Sequence, residues 1–248
     1  MTRALLVYLS AKSLLNKERF SVINSNINRN HYCFLLFTLF IFSAGSTFSQ
    51  EGQDAYIKTI TDRSVKIVNS LSIKDTVVYN KVVAQLVAQY SGLNKVQEEN
   101  KALTATIKQS TTSVDTTATR LKNAEEKKNA DLKVLHQSFI SGLQQWLNPE
   151  QVDLVKDGMT YRVFPITYAA YQDMIPALTE VQKAKIYEWL KEARELAMDA
   201  ESSDKKHAVF GKYKGRINNY LSSEGYDLKK ATEEWQQRIK ERNKTAQS

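Results

Sequence analysis

An all-α chain, a helical bundle with a long α-hairpin and at most one short β segment, is the fold class this sequence predicts, and three observations predict it. Only 8 Gly and 3 Pro occur in 248 residues, too few for the turn-rich sandwiches and barrels of antiparallel sheets. Hydrophobic residues make up 42% and charged ones 25%, the balance of a packed chain and not of a disordered one. The apolar residues recur at steps of three and four, which is the helix period. One Cys and 3 His allow no disulfide framework within the chain and almost no soft ligands for structural zinc. No metal and no cofactor is expected.

The first segment reads as a leader over residues 1–49. Residues 33–44 (CFLLFTLFIFSA) carry no charge, follow Arg29 and run into GSTFSQ. A run of that length rises only about 18 Å as a helix, short of a bilayer core of about 30 Å. A secretory h-region fits this length better than a permanent membrane anchor, with a buried core helix or a retained anchor as the alternative; cleavage near Ser49 places Thr47 and Ser49 at the small-residue positions. The mature chain, residues 50–248, is therefore expected in the periplasm or secreted. Loss of the leader removes Arg3, Lys12, Lys17, Arg19 and Arg29 against Glu18, so the formal charge falls from +8 to +4. Half of the basicity belongs to targeting, and a nucleic-acid partner loses its main support.

Residues 50–248 read as a single helical domain, with long helices over 55–146 and a motif-rich helical part over 147–248. Ile57, Ile60, Ile67, Val68 and Leu71 share one helical face. After SIKD (72–75) a second pattern carries Val78, Val82, Leu86, Tyr90 and Leu93, then fades into the Thr-rich stretch 104–119. Apolar spacing resumes at Leu132, Leu135, Phe139, Leu143 and Trp146. Two long helices joined by, or bent at, the Thr-rich stretch make an α-hairpin. Asn148, Pro149 and Gln151 form a helix start, with Leu147 placed to staple onto Val152, and Asp157-Gly158 is expected to stop that helix. The following MTYRVFP (159–165) is β-branched and aromatic and holds a Pro, so it reads as extended chain or one short strand, after which Thr167 is placed to cap a short helix. Thr179 with Gln182 repeats the capping box and opens a helix to about Ala200. Another helix spans about 204–221, SSEG (222–225) interrupts it, and Asp227 caps the last.

The densest polar cluster is HAVFGKYKGRINNY (207–220). Phe210, Tyr213, Ile217, Tyr220 and Leu221 make its apolar stripe. Gly211 and Gly215 cost about 1 kcal/mol each against Ala inside a helix, so close approach of another backbone or of a ligand is expected there. Beside them lie His207 and Asn218, then Lys212, Arg216 and Asn219 at i, i+4 and i+7. With Tyr161 and Arg162 on the extended piece, these are the candidate ligand-binding residues, and their donors suit a carboxylate or a hydroxyl-rich sugar. Helix packing beside a solvated basic edge is the alternative. Glu188, Glu192, Glu195 and Asp199 line one side of the preceding helix, facing water or a basic neighbour; calcium or magnesium there is set aside because nothing resembles an EF-hand loop. His136, on the apolar side of its helix, reads as a satisfied structural residue. No G-x-S-x-G elbow and no Walker or dinucleotide glycine pattern occurs. The residues alone name no reaction and leave open whether the protein is an enzyme.

The stretches PEQVDLVKDGMTYRVFPITY, LTEVQKAKIYEWLKEARELAMDAESSDKKH and FGKYKGRINNYLSSEGYDL resemble the domain-of-unknown-function 3826 family of exported Bacteroidota proteins, over residues 56–242. The resemblance supplies no catalytic residues. It implies export and company with plant-polysaccharide, especially pectin-type, degradation. A second likeness, to periplasmic helical chaperones with an L-T-x-x-Q signature, rests on Leu178, Thr179 and Gln182 and, less closely, Leu147, Asn148 and Gln151. The expectation is an exported accessory protein that binds acidic oligosaccharide. A glycoside hydrolase or lyase acting on such sugars and a chaperone-like protein are the alternatives.

Overall fold

The computed structural model describes residues 45–110 and 113–245. Among them are eight helices and no strand: α1 Gly45–Asn69, α2 Thr76–Ser110, α3 Val114–Leu143, α4 Pro149–Met159, α5 Val163–Met174, α6 Glu180–Met198, α7 Ser203–Ser223 and α8 Leu228–Thr245. The all-α expectation holds. The apolar run 33–44 lies outside the described residues, while the backbone at the expected cleavage point, Ser49, belongs to α1. No helix among the described residues is long and apolar enough to cross a membrane. The chain divides into two compact units: the described residues up to Gly92 with Ser141–Trp146, and Leu93–Ile140 with the described residues from Leu147 onward.

In the first unit the α1 stripe Ile57, Ile60, Ile67 and Val68 is buried, as are Val82, Leu86 and Tyr90 of α2. A left-handed Ser72 (φ 54°) turns the chain between the two helices. The Asp75 carboxylate then accepts the backbone N–H of Val77 at 2.7 Å and of Val78 at 3.2 Å, capping α2. Gly142 of α3 has a packing reason, since a Cβ there would overlap the Gln85 amide.

In the second unit the remainder of α2 and most of α3 form the hairpin arm. The Thr-rich stretch is helical up to Ser110, where α2 ends, and again from Val114, where α3 starts. Asn148 caps α4 with a reciprocal capping box to Gln151, and the staple residues Leu147 and Val152 are both buried. The structure departs from three expectations around residues 157–167. Gly158 does not stop α4, which runs to Met159, and residues 159–165 are not extended. Tyr161 (φ 58°) and Arg162 (φ 57°) instead make a tight left-handed turn, and α5 starts at Val163 with Thr167 inside it rather than capping it. Pro165 falls in the first turn of α5, where no backbone N–H is needed. The Thr160 hydroxyl donates to the Lys156 carbonyl at 2.8 Å, and burial of Phe164 and Tyr171 in the core outweighs β propensity.

Thr179 caps α6 through a second capping box with Gln182. At its other end, buried Lys206 of α7 donates to the carbonyls of Ala197 and Met198, both at 2.8 Å, satisfying acceptors that a helix C-terminus leaves open. Ser202 caps α7, and left-handed Gly225 (φ 91°) ends it, with Tyr226 N–H donating to the Leu221 carbonyl at 3.1 Å. Asp227 caps α8 through Lys230 N–H at 3.0 Å. Asp173 of α5 then pins α8, accepting from Trp235 Nε1 at 2.7 Å and Arg242 Nη2 at 2.8 Å. The core at the heart of this unit joins Phe164, Tyr171, Ile186, Leu190, Phe210 and Ile217.

Candidate functional site

Burying the apolar stripe of α6 leaves its carboxylate row to find other partners. Arg194, with only 2% of its side chain exposed, donates to Asp157 Oδ1 at 2.8 Å and Asp153 Oδ1 at 2.7 Å, both on α4. Its guanidinium lies 5.0 Å from the Phe164 ring centroid. Lys156 of α4 donates to both oxygens of Glu195 at 3.0 Å. His136 reaches in from α3, with Nδ1 2.9 Å from Asp199 Oδ2 and Nε2 3.4 Å from Glu195 Oε2. Hydrogen bonds to Asp199 and then to Glu195 raise the imidazole to about 9. Burial works to raise Glu195, but hydrogen bonds from His136 and Lys156 and the neighbouring cations win and hold it at about 2. At neutral pH His136 is an imidazolium between two carboxylates, with both ring nitrogens donating. A group poised for general acid–base work has a pKa near the working pH; His136 and Glu195 lie well to either side.

Next to this cluster opens a groove of about 1020 Å³ between α3, the end of α6 and the start of α7. Its lining carries Lys128, Lys133, Lys205, Lys212 and the charged His136 against Glu195, Asp199 and Glu201. Lys128 is paired with Glu125. Lys133, Lys205 and Lys212 have no carboxylate partner among the described residues, and two of the three acids are held by His136. Between the lysines stand the amides of Gln97, Asn129 and Gln137, which make no hydrogen bonds among the described residues. Leu132, Leu196 and Val209 supply apolar surface. Ammonium groups offer charge to an anion, and an amide offers both a donor and an acceptor to hydroxyl groups.

The candidate residues read from the sequence are split by this geometry. Tyr161 and His207 come together, their rings stacked with centroids 5.6 Å apart and planes 13° from parallel. Arg162 is the exposed N-cap of α5, with no side-chain cap bond, and its backbone N–H donates to the Asp157 carbonyl at 2.7 Å. Asn218 accepts the Tyr171 hydroxyl at 2.6 Å and so has a structural partner. Arg216 lies nine residues past His207 on α7; at 100° per residue it faces about 180° away. Tyr161, His207 and Arg216 therefore do not meet in one pocket. Arg216 instead lies over Trp189, 4.6 Å from the ring centroid, with Glu192 Oε2 3.8 Å away. Lys212 lines the groove, and Asn219 is exposed. A Cβ at Gly211 or Gly215 would meet nothing within 4 Å, so packing against another helix is not the reason for either glycine. The carboxylate row pairs with a basic neighbour on α7 only through Glu192 and Arg216; Glu195 and Asp199 turn to α3 and α4.

His136 is the satisfied structural residue that its place on the apolar side of its helix suggested, and the structure adds its partners, Glu195 and Asp199. Its role as a tie shows only through contacts 59 and 63 residues away in sequence. The signal in the sequence is a His on the apolar side of α3 together with Glu195 and Asp199 four apart on the α6 row.

Fold and site together define an all-α protein with a cation-lined groove beside a partly buried charge cluster. The family model described as "Protein of unknown function (DUF3826)" matches residues 57–241, well over half of the chain, and the chain belongs to that family. No curated protein matches it.

Proposed function

We propose that this is an exported accessory protein of polysaccharide utilisation, periplasmic or secreted, that binds acidic, pectin-type oligosaccharide in the groove between α3, α6 and α7. The observation that carries this reading is the combination of Lys133, Lys205 and Lys212, unpaired with any carboxylate among the described residues, and three unengaged amides. Lysines unmatched by carboxylates attract anions, and interleaved amides suit a ligand that also carries hydroxyl groups. Binding is favoured over catalysis because two of the three carboxylates that line the groove, Glu195 and Asp199, are committed to His136 and Lys156. The chaperone likeness has a local explanation, since Asn148 with Gln151 and Thr179 with Gln182 both form capping boxes.

Titration calorimetry of residues 50–248 with pectic oligosaccharides tests the reading, paired with assays for new reducing ends and unsaturated-uronate absorbance. Saturable binding without turnover is expected. Turnover would move the protein to the hydrolase or lyase class, and an absence of binding would end the proposal.

A further inference from the structure

The groove does not exhaust the cationic surface of the α6–α7 pair. Along α7 the next turn after Lys212 presents Arg216, and the turn after that presents Tyr220. Along α6, Trp189 precedes the groove residue Leu196 by seven positions, which returns it to within about 20° of the same face. Trp189 and Tyr220 meet edge to face at 5.4 Å and 89°. Lys185 Nζ lies 4.0 Å from the centroid of the Tyr220 ring and 5.3 Å from that of Trp189. Lys185 has no carboxylate partner among the described residues.

Arg216 has unspent donors. Its one carboxylate partner among the described residues, Glu192, stands at 3.8 Å, beyond hydrogen-bond distance, and both side chains are more than half exposed. Stacking on Trp189 orients the planar guanidinium without using up its N–H groups. From Lys205 to Tyr220 the helix rises about 22 Å, so Lys205, Lys212, Arg216 and Lys185 mark a strip much longer than one sugar ring.

We infer that the groove is one end of an extended subsite array, and that its far end is a carboxylate-binding subsite made by Arg216 on Trp189 with Lys185 beside Tyr220. This rests on the acidic-oligosaccharide reading and deepens it. The ligand is a chain of several anionic units lying along the α6–α7 seam, and Arg216 is a specificity residue that takes a carboxylate through a two-pronged hydrogen bond. Lysine keeps the charge but cannot form that fork.

The test is calorimetry with galacturonate dimer and hexamer on the parent, Arg216→Lys and Trp189→Ala, with circular dichroism confirming the helical content of each. The hexamer should bind the parent about tenfold more tightly than the dimer. Arg216→Lys should remove most of that advantage and leave dimer binding unchanged, and Trp189→Ala, if folded, should do the same. Equal affinity for dimer and hexamer, or an Arg216→Lys variant that keeps the advantage, overturns the extended array while leaving the groove reading intact. Failure of the parent to bind either sugar overturns both.

Discussion

On the side of α6 that meets α3 and α4, His136, Lys156 and Arg194 each have carboxylate partners within hydrogen-bond distance. On the side that meets α7, Lys185, Lys205 and Lys212 have none among the described residues, and Arg216 has only a distant one. Charges that are buried and paired resist removal of either partner, because the remaining one is left uncompensated in a poor solvent. Exposed and unpaired cations contribute little to folding, but they set the field that a ligand meets. Charge thus serves cohesion on one side of α6 and stays exposed along its seam with α7 on the other.

Removing the centre of the paired side should have the largest effect. Arg194→Met removes the cation shared by Asp153 and Asp157, and should lower the free energy of unfolding in urea by about 3–5 kcal/mol. A loss below about 1 kcal/mol would erase the contrast between the two sides. The second effect depends on pH. Because the folded-state pKa of His136 is raised to about 9, its contribution is complete below about 6.5 and is lost as pH rises through 9. Glu195, lowered to about 2, contributes fully above about 4.5 and loses that contribution as pH falls through 2. Between pH 6 and 9.5 the parent should lose on the order of 1–3 kcal/mol more than His136→Gln; parallel curves would show that the tie is inert.

Smaller effects sharpen the exposed side. Gly211→Ala and Gly215→Ala place a methyl group in open space, so each should raise stability by about 0.5–1 kcal/mol. Gly142→Ala should gain less, because Gln85 must move aside. Smallest of all, Lys205→Gln and Lys212→Gln should change stability by no more than about 0.5 kcal/mol.

Much of the fold was legible because its signals are local. Asn148 with Gln151 and Thr179 with Gln182 announced their helices through reciprocal caps a few residues apart, and the stripe Ile57, Ile60, Ile67 and Val68 announced its buried face by period. The Tyr161–Arg162 turn was not legible, since left-handed backbone at two non-glycine residues is imposed by the packing of Phe164 and Tyr171, on one face of α5, into the core and not by local preference. The site was legible in residue type but not in grouping. Lys212 and Arg216 share a face by spacing alone, whereas the wall opposite Lys212 comes from Lys133 and His136 on α3, which no spacing rule connects to α7.

On the proposed function the unpaired lysines serve an anion and not the fold. The most direct measurement is calorimetric binding of galacturonate hexamer, at low and high salt, to the parent and to a Lys133→Gln/Lys205→Gln/Lys212→Gln variant whose urea midpoint is recorded alongside. The predicted result is an unchanged midpoint, binding by the parent that weakens as salt rises, and affinity in the variant reduced at least tenfold. Parent-like affinity in the variant, or a midpoint that collapses with the three substitutions, would contradict it.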